Sequence, residues 1–218
     1  AVSCRAWANQ HPKAQMRDLV SVEDVMNSRA IADPLKVLDC SLVSDGGAAV
    51  VITRKDRAKD GPHKPVTLLG YGEGHAYEHI SQAKDLTTSA AVQSGRAAYA
   101  EAGLTPDDID LLQLYDCFTP ALLMQIEDLG FCGKGEGGAW LASGISRPGG
   151  SKPMNTHGGM LSYCHPGNPG AMFGLTEAIT QMRGDAGERQ LPKMHTALCH
   201  AQGGIMSSHA TIILGVED

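Results

Sequence analysis

The chain has 218 residues, of which 42% are hydrophobic and 19% charged, and 18 Lys and Arg against 24 Asp and Glu give a formal net charge of −6. This composition predicts one large or two small globular domains and excludes an intrinsically disordered chain. The negative charge argues against nucleic acid and anionic membranes as main partners, and no apolar run approaches the ~18 residues of a membrane span.

The first 64 residues predict little regular structure. Residues 1–34 are expected to form loops with one short helix, which Ser21 caps, and no compact element is predicted before that helix. The apolar run 48–53 is short, rich in β-branched residues and bounded by glycine and charge, which favours a strand buried on both faces. The charged residues 54–64 are expected to form an exposed connector.

The remaining residues predict alternating strands and helices. Further strands are expected at 66–71, 110–115, 196–199 and 210–216, and helices at 88–102, 119–129 and 170–183. A glycine follows each helix directly, as is common where helices end. With the run 48–53 included, this order predicts an α/β layered fold in which helices lie on the faces of a mixed, five-stranded sheet.

Three short segments concentrate reactive side chains beside glycine or a helix start. Residues 115–118 (YDCF) join a strand end to a helix N-terminus, where ligands of α/β proteins often bind. Residues 155–167 and 199–204 combine His, Cys and paired glycines. A histidine there can act as general base for a thiol or a carbon acid. A capped helix start, a mobile polar loop and a buried strand end remain the structural alternatives.

Two other patterns are weaker. Adjacent Cys-His pairs at 164–165 and 199–200 fit tetrahedral zinc poorly, and no C-x-x-C motif is present, so we expect no metal. Residues 70–74 (GYGEG) lack the G-x-G-x-x-G spacing of a dinucleotide site. Six cysteines without a disulfide framework favour reduced thiols and a cytoplasmic location.

Several segments of the chain, including two of the three reactive ones, resemble the C-terminal half of the thiolase superfamily. Residues 44–51 (SDGGAAVV) are similar to the family's S-D-G-A-A-A-V-V strand, and 103–110 (GLTPDDID) to its helix-to-strand turn. Residues 155–170 resemble N-x-x-G-G followed by G-H-P-x-G-x-x-G. Residues 200–203 (HAQG) resemble the His-Asn-x-Gly loop of the sterol-carrier-type branch and of its bacterial, lipid-transfer-protein-like relatives, where other thiolases have Cys-x-Gly.

The resemblance implies a thiolase-like fold and chemistry on coenzyme A thioesters, with no cofactor besides that substrate. In the family a nucleophilic Cys carries the acyl group, and the histidine of the H-P loop, here His165, activates it. His200 is implied as the acid/base of the last loop, and Tyr115 stands where the family binds the thioester oxygen. The residues implied to form the oxyanion hole or bind substrate are Asn155, Gly158, Gly159, Cys199, Gly203 and Gly204.

The chain departs from the family at Tyr115, where thiolases carry Asn or His. A thiolase-like retro-aldolase branch, which splits side chains from steroid CoA thioesters, resembles it in this tyrosine and in residues 130–138 (GFCGKGEGG). That branch has a second Tyr in place of the H-P histidine, whereas this chain keeps His165. The resemblance therefore favours an acyltransferase that makes or cleaves carbon–carbon bonds of 3-ketoacyl-CoA. A retro-aldolase and a non-catalytic acyl-CoA or lipid carrier are the alternatives.

The resemblance also predicts what the chain works with. The family's nucleophilic Cys lies in the N-terminal half, upstream of Ala1, so we expect the chain to be inactive alone and to need that half. The expected divisions are 1–38 for a loop-domain remnant, 39–64 for a strand and connector of the N-terminal domain, and 65–218 for the C-terminal domain. A homodimer and a small OB-fold and zinc-ribbon subunit are further partners that the resemblance allows.

Overall fold

The computed structural model describes residues 1–192 and 194–216. Its helices are α1 Val2–Asn9, α2 Val22–Asn27, α3 Lys55–Ala58, α4 Ala91–Ala102, α5 Thr119–Asp128, α6 Gly137–Ala142, α7 Gly159–Ser162 and α8 Gly170–Arg183. Its strands are β1 Ala30–Ala32, β2 Leu35–Lys36, β3 Thr67–His75, β4 Leu111–Gln113, β5 Thr196–Gly203 and β6 Ser208–Gly215. Within the described ranges, no helix is long and apolar enough to cross a membrane.

The main sheet is mixed, as predicted, and has the strand order β3-β6-β5-β4. Strand β6 pairs antiparallel with both β3 and β5, while β4 runs parallel to β5. The sheet has four strands rather than the five predicted. A single parallel bridge between Leu112 and Met154 extends it beyond β4. Strands β1 and β2 form a separate two-stranded sheet.

The predicted strand at 48–53 is wrong. These residues have no regular secondary structure, and Val51 and Ile52 are 94% and 89% exposed. A strand needs a neighbour to pair its backbone groups, and no described residue pairs with this run. Its apolar, β-branched composition indicates burial without indicating a partner.

The predicted domain divisions at residues 38 and 64 stay predictions. The last predicted domain, 65–218, extends beyond the described residues.

Helices cover both faces of the main sheet, which makes the predicted layers. Helices α4 and α5 pack on one face and α8 packs on the other. The side chains buried between the sheet and helices α4 and α5 include Leu112, Leu198, Ile213, Ala98 and Ile126. The side chains buried between the sheet and α8 include Leu111, Ala197, Leu214, Ala178 and Met182.

The glycines of residues 70–74 serve packing. A Cβ on Gly70 or Gly72 would lie 2.2 or 2.1 Å from a backbone carbonyl oxygen of α4, and one on Gly74 would lie 2.3 Å from the carbonyl oxygen of the residue that caps α4. Their lack of a side chain lets α4 lie directly on β3. This contact explains the motif without a ligand.

The helices predicted at 88–102, 119–129 and 170–183 are confirmed as α4, α5 and α8. Gly103 and Gly184 end α4 and α8 in the left-handed conformation, which glycine adopts without strain. Ser21 caps α2 as predicted and forms a capping box with Asp24. The expectation that no compact element precedes α2 is wrong, because α1 packs into the core through Trp7.

Candidate active site

Two side-chain amides fix the backbone that leads from β4 to Tyr115. Asn155 accepts a hydrogen bond from the Leu114 amide at 2.8 Å and donates one to the Leu114 carbonyl at 3.0 Å. Gln125 of α5 makes the same pair of bonds with Tyr115, at 3.0 and 2.8 Å. The Asn155 side chain is therefore committed to the backbone and is fully buried, so its predicted substrate contact stays a prediction.

The Tyr115 hydroxyl lies 2.9 Å from Nε2 of His165, and the two rings meet edge to face. On the other side of the imidazole, Nδ1 lies 2.8 Å from Oγ of Ser41. The backbone amide of His165 donates to Oγ of Ser44 at 2.8 Å. The structure thus joins Tyr115, His165 and Ser41 in one line of hydrogen bonds.

The local fold explains how these residues meet. The Ser41 amide donates to the Cys117 carbonyl at 2.8 Å, and the Leu42 amide donates to the Met160 carbonyl at 3.0 Å. These bonds fix the Ser41–Ser44 stretch beside the site. Gly170 opens α8 against the imidazole, where a Cβ would lie only 2.8 Å from Cδ2 of His165. Glycine is required at this close approach.

Burial keeps both members of the pair neutral. It raises the pKa of Tyr115 to about 12, with smaller contributions from Cys117 and Asp116. It lowers the pKa of His165 below the ordinary histidine value, although the charge of Asp116 opposes this shift. Near pH 7 the pair therefore consists of a phenol that holds its proton and an imidazole that can take one.

The Asp116 carboxylate explains the paired glycines of the second segment. Asp116 is 1% exposed and accepts hydrogen bonds from the Met160 amide at 2.8 Å and the Cys4 thiol at 3.3 Å. A Cβ on Gly159 would lie 2.0 Å from this carboxylate, and one on Gly158 would lie 2.7 Å from a side chain of α1. Both glycines have positive φ. Each therefore has a structural reason to be glycine, and substrate binding by either stays a prediction.

His200 has hydrogen-bond partners of its own. Its Nδ1 lies 2.8 Å from Oγ1 of Thr211, and its Nε2 lies 3.0 Å from Nδ1 of His209. The side chain is 3% exposed, and burial together with His209 lowers the pKa of His200 to about 3. The two histidines proposed as acid/base groups, His165 and His200, therefore contact separate sets of residues.

The other predicted residues of the third segment differ in surroundings. The Cys199 thiol is buried in the core against α8, and burial raises its pKa to about 12. A Cβ on Gly203 would meet no atom within 4 Å, so this position is open. Gly204 has a positive φ of 55° and lies in the turn between β5 and β6.

No thiol of the chain is activated. Burial raises the pKa of all six thiols, those of Cys4, Cys40, Cys117, Cys132, Cys164 and Cys199. A nucleophilic thiolate instead needs a depressed pKa. In the described part of the chain, no group of three or more His, Cys, Asp or Glu could hold a metal ion.

Sequence reasoning missed several residues of the site. Ser41 reaches it from a distant segment and Gln125 from the helix that follows Tyr115, and no motif signals their role. Ser44 lies in the family-like segment 44–51, but its contact with His165 was not predicted. His157 lies between the site and an outer groove, and its Nδ1 has no partner although it is buried. Gln113 likewise has a buried side-chain oxygen, Oε1, without a hydrogen-bond partner. Both His157 and Gln113 line a small cavity that Tyr115 and His200 also line.

Known proteins are similar to this chain over most of its length. Residues 72–216 match the family model described as thiolase C-terminal domain-like. An acetyl-CoA acetyltransferase of Methanothermobacter thermautotrophicus is 38% identical over 90% of this chain and 52% of its own length. A steroid side-chain-cleaving aldolase of Thermomonospora curvata is 39% identical over the whole chain and 54% of its own length.

A solved structure, an Ltp2-ChsH2(DUF35) aldolase, superposes with a TM-score of 0.90 at 37% identity. The alignment covers 99% of this chain and 56% of that one. The chain thus spans about half the length of the curated relatives it matches.

Proposed function

Because the chain belongs to the thiolase family, whose C-terminal domain its residues 72–216 match, we propose that it carries the proton-transfer pair of an enzyme. That enzyme makes or cleaves a carbon–carbon bond beside the thioester carbonyl of an acyl-CoA. The observation that carries this proposal is the 2.9 Å contact between the Tyr115 hydroxyl and Nε2 of His165. A carrier that only binds acyl-CoA needs no such pair.

We favour aldol cleavage of a 3-hydroxyacyl-CoA as the reaction. Tyr115 takes the proton of the C3 hydroxyl while its own phenol proton passes to Nε2 of His165. The bond between C2 and C3 then breaks, and its electron pair passes to C2 and the thioester oxygen. The proton held by the pair returns to C2. The products are an aldehyde or ketone and a shortened acyl-CoA.

The geometry of the pair supports the aldol direction. With Nε2 of His165 in contact with its hydroxyl, Tyr115 can pass its proton on without leaving a charged phenolate in a buried site, which would be costly. The TM-score of 0.90 with a solved aldolase adds to this preference.

Thiolase-type acyl transfer is the second candidate. His165 keeps the H-P histidine that activates the nucleophilic Cys of thiolases, and a thiolase-family acetyltransferase is 38% identical. In this case the remaining half of the protein supplies the thiol, and His165 accepts its proton. We propose a cytoplasmic enzyme for either reaction, because its six cysteines are free. We also propose a homodimer and a small OB-fold and zinc-ribbon subunit as its partners.

The test uses the full-length protein with two substrates. One sample receives a 3-hydroxyacyl-CoA, and the other receives a 3-ketoacyl-CoA with free CoA. Mass spectrometry then identifies the products. Release of an aldehyde or ketone from the first sample supports the aldolase, whereas two shorter acyl-CoAs from the second, with an acyl adduct on a Cys, support acyl transfer. Binding of both substrates without any product would overturn the enzyme proposal.

A further inference from the structure

We infer that His209 is a positioning residue that fixes the side-chain proton of His200 on Nε2. The proton order follows from a line of hydrogen bonds under α4, which we call the histidine line. Its members are Ser94, Thr211, His200, His209 and the carbonyl of Met206. The proton order rests on hydrogen-bond geometry and on the neutral state of His209, and only its consequence for turnover rests on the proposed function.

One end of the histidine line sets the direction of all its bonds. Nε2 of His209 lies 3.1 Å from the Met206 carbonyl oxygen. A carbonyl oxygen can only accept, so Nε2 of His209 carries a proton and donates it. A neutral imidazole carries one proton, which leaves Nδ1 of His209 as an acceptor.

The remaining protons follow in order. Since Nδ1 of His209 accepts at 3.0 Å, Nε2 of His200 must donate to it. Nδ1 of His200 is then an acceptor, and the Thr211 hydroxyl donates to it at 2.8 Å. The Ser94 hydroxyl lies 2.8 Å from Oγ1 of Thr211 and 3.2 Å from the Ala91 carbonyl oxygen, and it completes the line as a donor that these two acceptors share. Every buried polar atom of the line is satisfied by this order.

A charge on His209 would reverse the order, because both of its nitrogens would then donate. Burial lowers the pKa of His209, and the neighbouring His75 acts in the same direction. The charge of Asp128 and the Met206 carbonyl oppose this shift. His200 itself offers no charge, because its own burial keeps it neutral. The neutral order therefore holds at pH 7.

The turn between β5 and β6 holds the far end of the line. Ile205 and Met206 have positive φ values of 55° and 65°, a conformation that side chains other than glycine adopt at a cost. The Met206 carbonyl that accepts from His209 belongs to this strained turn. In this state both nitrogens of His200 are engaged, so His200 can exchange a proton with substrate only after its bond to His209 or to Thr211 opens.

Nitrogen-detected histidine NMR of the full-length protein tests the inference, because it distinguishes the two neutral tautomers. We expect His200 to carry its proton on Nε2 at pH 7. His209→Asn places an amide oxygen near the former Nδ1 and should preserve that tautomer. His209→Leu removes the acceptor, and His200 should then move its proton to Nδ1 and donate to Thr211.

A second variant keeps the inference testable if His209→Leu does not fold. Thr211→Val should leave the His200 proton on Nε2, since His209 still accepts it. His63→Asn, at an exposed position, serves as the assignment control. A His200 proton on Nδ1 in the unmodified protein, or a tautomer that follows Thr211→Val instead of His209→Leu, would overturn the inference. Neither result depends on turnover, so the inference and the proposed function can fail separately.

Discussion

The Tyr115 hydroxyl and Nε2 of His165 lie 2.9 Å apart, although the two residues are 50 positions apart in the sequence. Asn155 and Gln125 hold the backbone on the tyrosine side, and Ser41 and Ser44 hold the histidine side. The pair is therefore supported on both sides by polar contacts, as a proton-transfer pair must be to keep its geometry.

Tyr115→Phe should lower kcat of the full-length enzyme by about 10²- to 10³-fold, because it removes the proton donor and keeps the ring. The free energy of unfolding should fall by only about 1 kcal/mol, the usual contribution of one hydrogen bond. Steady-state kinetics and urea denaturation measure the two effects. Tyr71→Phe is the control, because Tyr71 is 44% exposed on β3. An unchanged kcat in Tyr115→Phe would reduce Tyr115 to a packing role.

The acid side of the pH–rate profile should report His165. Burial lowers its pKa, so the imidazole stays neutral and able to accept a proton below the ordinary value of about 6.5. We expect kcat/KM to stay level as the pH falls to 6.5 and to decline only at lower pH. A decline that begins well above pH 6.5 would mean that another group accepts the proton.

Gly159→Ala should destabilise the protein by about 3 kcal/mol or more, because the new Cβ would meet Asp116 and φ is positive. Gly203→Ala is the matched comparison, since its Cβ would meet nothing within 4 Å. Its free energy of unfolding should stay nearly unchanged, and a raised KM would support the predicted substrate contact. Equal destabilisation of the two variants in urea denaturation would contradict this account of Gly159.

Stability should fall as the pH drops from 6.5 to 5. Burial lowers the pKa of five histidines, to about 4 for His11 and about 3 for His200, and below the ordinary value for His157, His165 and His209. The unfolded chain binds protons in this range that the native chain does not. Each histidine therefore removes up to about 1.4 kcal/mol per pH unit.

Urea denaturation at three pH values between 7 and 5 measures this slope. His11→Asn should reduce the slope, because it deletes one of these five histidines. His63→Ala, at an exposed position, should leave it unchanged. A free energy of unfolding that does not change between pH 6.5 and 5 would show that these histidines are not buried in neutral form.

Local patterns predicted the elements whose signals are local. The three main helices carry an apolar face and a closing glycine, and the structure places each within a few residues of its predicted ends. The prediction of a strand at 48–53 was wrong, because an apolar composition indicates burial but does not indicate a pairing partner. Helix α1 was missed because its buried side, with Trp7, is recognisable only from the segment that covers it.

The site shows the same limit. Tyr115 and His165 stand in recognisable motifs, so the sequence could place both residues in one site. Ser41 and Gln125 could not, because nothing local distinguishes them from other polar residues. His200 was predicted as the acid/base of the last loop, and that role stays a prediction. Its neighbours Thr211 and His209 come from the pairing of β5 with β6, which no local pattern indicates.

A double-mutant cycle tests most directly whether Tyr115 and His165 act as one unit. The full-length protein and the variants Tyr115→Phe, His165→Gln and the double variant are compared by kcat/KM on the substrate that the product analysis identifies. Residues that act as a unit are strongly non-additive, so each single change should cost about 10²-fold or more and the double variant little beyond that. Losses that multiply in the double variant, or a single variant with full activity, would contradict the pair as the reaction's proton-transfer unit.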